Sequence, residues 1–296
     1  MASLKEVRNR ITSVSSTQQI TKAMKMVSAA KLRRAQDNIL RMRPYAQRLS
    51  GILANLSSQT EGSVSNIYSE KREVNRVLII AVTSDRGLAG AFNANVVKGV
   101  VALINSRFSS QAAAGNVTVL AIGKKGLDAF KKREIPVISN FSGVFSNLSF
   151  DVVREAAEHA MDGFVAGDFD QVYLVYNEFK NTATQIVRQE QFLPIEDKPV
   201  EAADASALLV DYTFEPSKEE IIRDLIPQSL KIQVYKAVLE SNASEHGARM
   251  TAMDKATENA GELLKELKLT YNRTRQAAIT KEILEIVGGA EALSAK

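Results

Sequence analysis

Two long stretches of the chain repeat apolar residues with the spacing of packed helices. In residues 3–57, a strict four-then-three spacing selects sixteen positions, of which twelve are apolar. This heptad pattern predicts a long helix that packs against another helix. About 55 helical residues would span roughly 80 Å, which is too long for a compact domain. The positions are Leu4, Val7, Ile11, Val14, Gln18, Thr21, Lys25, Ser28, Leu32, Ala35, Ile39, Met42, Ala46, Leu49, Leu53 and Leu56.

Two features of this first stretch depart from a regular helix. We expect Pro44 to kink the helix rather than to end it, because the apolar spacing resumes at Leu49. Between residues 18 and 28 the heptad positions are polar, and apolar residues lie beside them instead. This shift predicts a stutter that changes the local winding of the helix. The shifted residues are Ile20, Ala23, Met24, Val27 and Ala30.

The second helical stretch covers roughly residues 217–292. Ser217 is a candidate N-cap, and Pro227 predicts that the helix is interrupted and begins again there. From Ile232 onward a near four-then-three spacing continues, and many of its positions carry small residues that let two helix backbones approach closely. We expect the Gly288-Gly289 pair to end the helix or to loosen it.

Between these stretches, short apolar runs alternate with amphipathic segments. Continuous apolar runs rich in β-branched residues indicate buried strands, and their alternation with helices predicts a doubly wound, mostly parallel, Rossmann-like sheet. The expected strands are Val77–Thr83, Val117–Ile122, Ile135–Ile138, Gln171–Asn177 and an antiparallel Gln185–Leu193. The expected helices are Asn93–Arg107, Lys124–Lys131 and Phe150–Val165.

The fold class is therefore α/β, with three expected parts. Residues 1–57 would form an N-terminal shaft helix, residues 70–200 a Rossmann-like α/β foot domain, and residues 217–296 a C-terminal shaft helix. An isolated amphipathic helix would expose its apolar stripe to water. We therefore expect the two long helices to pair as an antiparallel coiled coil, with the α/β domain at one end of it.

The charge of the chain is unevenly distributed. The net charge is +4, but residues 1–48 hold eleven Lys or Arg against Glu6 and Asp37, which gives this segment a net charge of +9. A solvated helix face would explain this charge, and so would an acidic protein partner, an anionic membrane surface or nucleic acid. Nucleic acid is the weaker alternative, because Tyr45 is the only aromatic residue there that could stack on a base.

The composition limits the chemistry that the chain could perform. Its lack of cysteine excludes disulfides, thiol nucleophiles and cysteine metal sites. His159 and His246 lie far apart in predicted helices without carboxylates at ligand spacing, so we expect neither a metal site nor a catalytic base. No run of eighteen apolar residues is present that could span a membrane.

The loop Ser84–Gly90 lies where a phosphate-binding loop would, after a predicted strand and before a helix. It has neither the three glycines of a dinucleotide loop nor the Gly-Lys-Ser/Thr of a nucleoside triphosphatase. A tight turn with an exposed Arg86 is the simpler interpretation. A protein-contact role for Arg86 stays open.

Three segments together resemble the gamma-subunit family of F-type, proton-translocating ATP synthases. They are residues 17–27, Ser84–Asn93 and Tyr271–Leu293, and the resemblance extends from one end of the chain to the other. It implies a central rotor stalk that transmits torque between the membrane c-ring and the alpha/beta catalytic ring, with no catalytic residues and no cofactor. No transit peptide is visible, which favours a bacterial form.

The resemblance also implies partners and a location. The partners would be the alpha and beta subunits of the catalytic ring, the epsilon subunit and the c-ring of the membrane sector, with one copy of the chain per complex and no nucleic acid. The chain would be a peripheral membrane protein on the cytoplasmic side of the bacterial plasma (inner) membrane.

Ten contact residues follow from the same resemblance. Met24, its two lysine neighbours and Arg86 would lie near an acidic loop of beta. Arg275 and Gln276 would hydrogen-bond a second, catch loop of beta, and the other four would belong to the coupling surface. An apolar tip around Ile283 would turn in a hydrophobic sleeve. The ten are Lys22, Met24, Lys25, Arg86, Arg249, Arg275, Gln276, Thr280, Glu282 and Glu285.

Two other functions fit parts of the pattern. A coiled-coil adaptor or nucleic-acid-binding protein with an α/β head would use the basic helix, and salt-sensitive DNA binding would support it. A doubly wound enzyme with helical extensions would use the middle of the chain, and saturable nucleotide binding would support that. Neither explains a long helix at both ends together with the segment Tyr271–Leu293.

Overall fold

The computed structural model describes residues 3–58, 67–195 and 218–294. The chain separates into two compact units, one of residues 1–28 and 250–296 and one of residues 29–249. The long helices are α1 (Leu4–Ser58) and α6 (Lys218–Ser294), and each contributes residues to both units. None of the described helices contains an apolar stretch that could span a membrane.

A five-stranded sheet forms the centre of the unit of residues 29–249. Its strands, in the order β3-β2-β1-β4-β5, are parallel except for the antiparallel edge strand β5. The elements between α1 and α6 are β1 (Val77–Val82), α2 (Phe92–Arg107), α3 (Ser109–Ala113), β2 (Val117–Ile122), α4 (Lys124–Lys131), β3 (Val137–Ile138), α5 (Phe150–Ala166), β4 (Gln171–Phe179) and β5 (Gln185–Leu193). The sequence predicted all of these except the short α3.

One strand is shorter than predicted. The pattern indicated a strand over Ile135–Ile138, but β3 contains only Val137 and Ile138. The Ile135 amide donates to Phe130 O in the turn that closes α4, and Pro136 has no amide to donate. Pairing with β2 therefore begins with Pro136 O, which accepts from the amide of Val119 at 2.8 Å.

Helices cover both faces of the sheet. Successive residues of a strand point to opposite faces, so Leu78 and Ile80 of β1 pack with α5 and with residues 230–238 of α6. Val77 and Ile79 pack on the other face with α2 and Phe130. The β1 side chains are fully buried, which is typical of a central parallel strand.

Both long helices continue through residues that the sequence marked as possible breaks. α1 passes Pro44, as predicted. α6 passes Pro227, so the predicted restart of the helix there is wrong: a proline removes one helical hydrogen bond, whereas Leu230 and Val234 beyond it hold the helix against the sheet. The helix also continues past Gly288 and Gly289 to Ser294, because glycine weakens a helix without ending it unless its backbone turns left-handed.

The predicted stutter in α1 is also wrong. Ile20 and Val27 are 59% and 57% exposed, whereas the polar heptad residues Thr21 and Ser28 are buried. Within the unit of residues 1–28 and 250–296, the hydroxyls of Thr21 and Thr257 lie 2.8 Å apart. Ser28 Oγ donates to Met24 O of its own helix at 2.8 Å. The strict heptad therefore continues through a polar layer, since these hydrogen bonds compensate for the burial of both hydroxyls.

Candidate protein-contact site

The loop Ser84–Gly90 projects from the carboxyl end of β1 and is tied to its surroundings at its base. The Ser84 amide donates to Asn93 Oδ1 at 2.9 Å, which joins the loop to α2. Asp85 Oδ1 accepts from the amide of Lys124 at 3.2 Å, which joins it to the first residue of α4. The Arg86 side chain is exposed at the surface, as the sequence predicted.

Leu88 is a feature of this loop that sequence reasoning missed. Its side chain is 65% exposed, and its backbone is left-handed, with φ of 60°. A left-handed backbone costs a residue other than glycine about 1 kcal/mol or more. An exposed apolar side chain on a strained backbone is typical of a contact with another molecule. The signal in the sequence was a large apolar residue in a turn whose other residues are polar or small.

Arg249 of α6 holds the inner side of the same loop. Its Nη1 donates to Glu245 Oε1 at 2.6 Å, and its Nη2 donates to the carbonyl oxygens of Arg86 and Gly87 at 3.1 and 3.3 Å. Arg249 and Glu245 are only 8% and 7% exposed. The structure therefore places Arg249, which the sequence assigned to a partner surface, inside the protein, with its hydrogen bonds directed at residues of this chain.

Burial shifts the pKa of two groups on this turn of α6. Burial raises the pKa of the Glu245 carboxyl, and the neighbouring Arg249 opposes that rise. Burial, together with the nearby cations Arg249 and Lys31, lowers the pKa of His246 to about 4. His246 is therefore neutral near pH 7. With such a low pKa it is poorly suited to act as a general base.

The place where a doubly wound sheet usually binds a ligand is filled by α6. Such ligands lie beyond the carboxyl ends of the strands, where the strand order reverses, and here that point lies between β1 and β4. Ser241 Oγ donates to Val82 O at 3.4 Å, and Ser244 Oγ donates to Asn177 O at 3.0 Å. All four residues are buried, so this geometry favours a packed interface over a nucleotide site.

The described residues contain no cluster of three or more side chains that could hold a metal ion. A groove of about 590 Å³ opens beside α1 and α6 in the unit of residues 29–249. It is lined mostly by helix side chains of mixed character rather than by a convergent set of polar groups. Its lining residues are Asn38, Arg41, Met42, Tyr45, Leu148, Phe150, Gln228, Ile232 and Tyr235.

The contact residues predicted on α1 lie on a partly covered face. Lys22 is exposed, and Met24 is half-buried. Lys25 Nζ lies 2.5 Å from Asp254 Oδ1 of α6, in the same unit. Lys25 therefore has a carboxylate partner within the chain, whereas among the described residues no ion pair involves Lys22.

The contact residues predicted near the end of α6 are all exposed and share one helical segment. They are Arg275, Gln276, Thr280, Glu282 and Glu285. Between them lie apolar side chains that are also exposed, among them Leu284 at 66% and Ile286 at 67%. A helix that is exposed and partly apolar all round is not stabilised by its own chain, which indicates a partner that surrounds it.

Comparison with known proteins identifies the family. A sequence model described as ATP synthase matches residues 3–293. An ATP synthase gamma chain of Cytophaga hutchinsonii is 64% identical over 99% of this chain and 100% of that relative. One from Flavobacterium psychrophilum is 57% identical over 99% of each chain. The chain belongs to the ATP synthase gamma chain family.

Solved structures of ATP synthases share the fold of this gamma chain. A chain of the central stalk and c-ring of the Tetrahymena thermophila mitochondrial enzyme is 26% identical, covers 80% of this chain and 99% of its own length, and has a TM-score of 0.54. A chain of the Euglena gracilis mitochondrial enzyme is 22% identical, covers 99% of this chain and 95% of its own, and has a TM-score of 0.66. The mixed α/β fold with long helices at both ends is therefore that of the family.

Proposed function

We propose that this gamma chain is the central rotor stalk of a bacterial F-type ATP synthase and transmits torque between the membrane c-ring and the alpha/beta catalytic ring. The observation that carries this function is the match to gamma chains over 99% of the sequence. Gamma chains are a non-catalytic part of the enzyme, so this chain contributes movement and contacts rather than chemistry.

In this proposal the shaft is an antiparallel coiled coil of α1 and α6, and residues 70–195 belong to the α/β foot domain. Of the ranges expected from the sequence, residues 1–2, 196–200, 217 and 295–296 lie outside the described residues. Contacts inside each unit support this pairing. In one unit, Thr21 meets Thr257 and Lys25 meets Asp254, so residue numbers rise along α1 as they fall along α6. In the other unit, Leu32 and Ala35 pack with Ala243 of α6.

The basic side of α1 faces acidic residues of beta. The segment of residues 1–48 has a net charge of +9, and the exposed Lys22 and Arg86 are available to carboxylates of another chain. Met24 is close to Lys22 and Lys25 in sequence and is half-buried. Attraction between surfaces of opposite charge would guide the stalk into register with beta.

The end of α6 engages the inside of the catalytic ring. Arg275 and Gln276 hydrogen-bond a catch loop of beta, and Thr280, Glu282 and Glu285 belong to the coupling surface. Exposed Ile283, Leu284, Ile286 and Val287 run in a hydrophobic sleeve, where an apolar surface offers few directional bonds to break during rotation. Arg249, being buried, contributes to coupling from inside the chain.

An asymmetric stalk explains how rotation controls catalysis. Three copies of beta would each meet a different side of a stalk whose surfaces differ in charge and shape. A contact that favours one conformation of beta over another shifts its population by the difference in binding free energy, and about 1.4 kcal/mol changes the ratio tenfold.

The chain is peripheral to the membrane, on the cytoplasmic side of the bacterial inner membrane. One copy per complex would contact the c-ring and the epsilon subunit through its α/β domain, with no role for nucleic acid. The similarity to ATP synthase gamma chains supports membership of this complex.

Co-expression with alpha and beta subunits tests this function. ATPase activity of the purified assembly is expected only when this chain is present. Addition of the membrane sector should then couple hydrolysis to proton pumping. A chain that leaves the ATPase of alpha and beta unchanged, or that binds DNA in a salt-sensitive way without affinity for them, would contradict the proposal.

A further inference from the structure

The loop Ser84–Gly90 has an unusual shape that must be maintained by its surroundings. Leu88 adopts a left-handed backbone while its side chain is exposed, so neither local preference nor burial of the side chain stabilises that conformation. The exposed Arg86 guanidinium extends from the same loop. Its position relative to any partner depends on the conformation of the loop backbone.

The contacts that hold this backbone converge on the carbonyl oxygens of Arg86 and Gly87. Ser84 Oγ donates to Arg86 O at 2.7 Å, and Arg249 Nη2 donates to Arg86 O at 3.1 Å and to Gly87 O at 3.3 Å. Arg249 reaches the loop from α6, more than 150 residues away in sequence. One guanidinium therefore binds the two residues that directly precede the strained Leu88.

Glu245 fixes the guanidinium in turn. Its carboxylate accepts from Arg249 Nη1 at 2.6 Å, one helical turn away, and both side chains are buried. The planar guanidinium presents separate N–H groups to separate acceptors, so Arg249 can bind Glu245 on one side and the loop on the other. Lysine would concentrate its donors on one atom and could not span both sets of acceptors.

We propose that Glu245 and Arg249 act as positioning residues that clamp the Ser84–Gly90 loop and thereby set where Arg86 and Leu88 meet the beta subunit. This inference rests on the proposed function for the identity of the partner. The clamp itself is a property of this chain alone. It joins the shaft helix α6 to the partner-facing loop through buried, charge-assisted hydrogen bonds.

The first test measures the loop in the purified full-length chain by hydrogen exchange. Arg249→Lys keeps the charge near Glu245 but removes the second arm of the clamp. Ser244→Ala is the matched control, because it removes a buried hydrogen bond of the same helix, to Asn177 O at 3.0 Å, that does not involve the loop. We expect amides of residues 84–92 to exchange about tenfold faster in Arg249→Lys, with little change in Ser244→Ala.

Two outcomes of that test overturn the clamp. Unchanged exchange of residues 84–92 in Arg249→Lys would show that the loop holds its shape without Arg249. Equal acceleration in Ser244→Ala would show a general loosening of the packing of α6.

Glu245→Gln, which keeps an acceptor for Arg249 but removes the charge, is expected to accelerate exchange of residues 84–92 by less than Arg249→Lys does.

The second test measures the ratio of proton pumping to ATP hydrolysis in the assembled complex. We expect Arg249→Lys to lower this ratio in the same direction as Arg86→Ala, and Ser244→Ala to leave it unchanged. If Arg86→Ala lowers the ratio and Arg249→Lys does not, the positioning role of the clamp is wrong. If neither lowers it while the loop exchanges faster in Arg249→Lys, the clamp exists but the proposed contact of Arg86 with beta has failed.

Discussion

Three residues in unusual environments lie on one turn of α6 and on the loop beside it. Glu245 and Arg249 are charged but buried, and Leu88 is apolar but exposed. A buried ion pair is weak evidence for stability, because removing two charges from water costs about as much as their attraction returns. The pair matters here because it orients the Arg249 guanidinium toward the loop carbonyls.

His246 makes the stability of the chain depend on pH. Its pKa is about 4 in the folded chain because of burial and of the nearby cations Arg249 and Lys31, whereas an unfolded histidine titrates near 6.5. The unfolded state therefore binds more protons between these values, so stability present above pH 6.5 is lost as the pH falls toward 4.

Denaturant unfolding at several pH values checks this dependence. Between pH 7 and 4, we expect His246→Gln to lose about 2 kcal/mol less unfolding free energy than the wild type. The raised pKa of Glu245 acts in the opposite direction in both proteins, so the comparison isolates the histidine. Equal losses in the two proteins would show that His246 is not protonated on unfolding.

Met24→Lys tests the placement of α1 against an acidic partner. Met24 is half-buried on the basic helix, and a new cation there should strengthen the contact with beta and impair coupling more than folding. Met26→Lys is the matched control, because Met26 is 59% exposed on a different side of the same helix. We expect the ratio of pumping to hydrolysis to fall several-fold in Met24→Lys only. Normal coupling in this variant would mean that Met24 is misplaced.

At the scale of elements, the two long helices combine an apolar seam with a polar layer. Gln18 Nε2 donates to Thr257 O at 3.4 Å, close to the paired hydroxyls of Thr21 and Thr257. Gly261 leaves room for Gln18, since a Cβ there would lie 2.9 Å from Nε2. The polar groups of a single layer in an apolar seam find their hydrogen-bond partners in only one register of the two helices. The layer therefore disfavours sliding of one helix along the other.

A double-mutant cycle on Thr21 and Thr257 measures this layer. Thr→Val keeps the size of the side chain and removes the hydroxyl, so each single variant leaves the other hydroxyl without its partner across the helices. We expect a coupling free energy of about 0.5–1 kcal/mol between the two sites by thermal or denaturant unfolding. Strictly additive effects would show that the 2.8 Å contact contributes nothing to stability.

At the scale of the whole molecule, the last turns of α6 are exposed rather than packed on the sheet. From Arg275 to Ala290 every residue of α6 is exposed, including several large apolar side chains. Helices without tertiary contacts fray and open readily. The stability of this segment is therefore expected to come from the assembled enzyme, whereas the sheet and its covering helices carry their own core.

Limited proteolysis shows whether the end of α6 is protected by the assembled enzyme. In the purified chain, trypsin is expected to cut α6 early at Arg273, Arg275 or Lys281, because local opening exposes these bonds. With alpha and beta subunits bound, the same bonds should be cut at least about tenfold more slowly. Mass spectrometry of the C-terminal products identifies the bonds. Equal cutting rates with and without the partners would contradict insertion of this segment into the catalytic ring.

The sequence by itself determined the family and every element except the short α3. Heptad spacing located α1 and α6, since a helix that packs along its length must repeat its covered positions. Thr21 and Ser28 are polar but occupy positions of the same repeat. Apolar runs located the strands, because a central parallel strand such as β1 is buried on both faces. The segment Tyr271–Leu293 contributed to the recognition of the gamma chain family.

Only the tertiary structure decided how polar groups are satisfied. The pattern favoured Ile20 and Val27 for burial, but Thr21 and Ser28 are the buried residues. Thr21 meets the hydroxyl of Thr257 across the helices, and Ser28 Oγ donates to Met24 O of its own helix. Likewise, Arg249 resembled a surface cation until its contacts with Glu245 and the loop carbonyls were seen. Burial of a polar side chain depends on partners that are distant in sequence, so local spacing cannot reveal it.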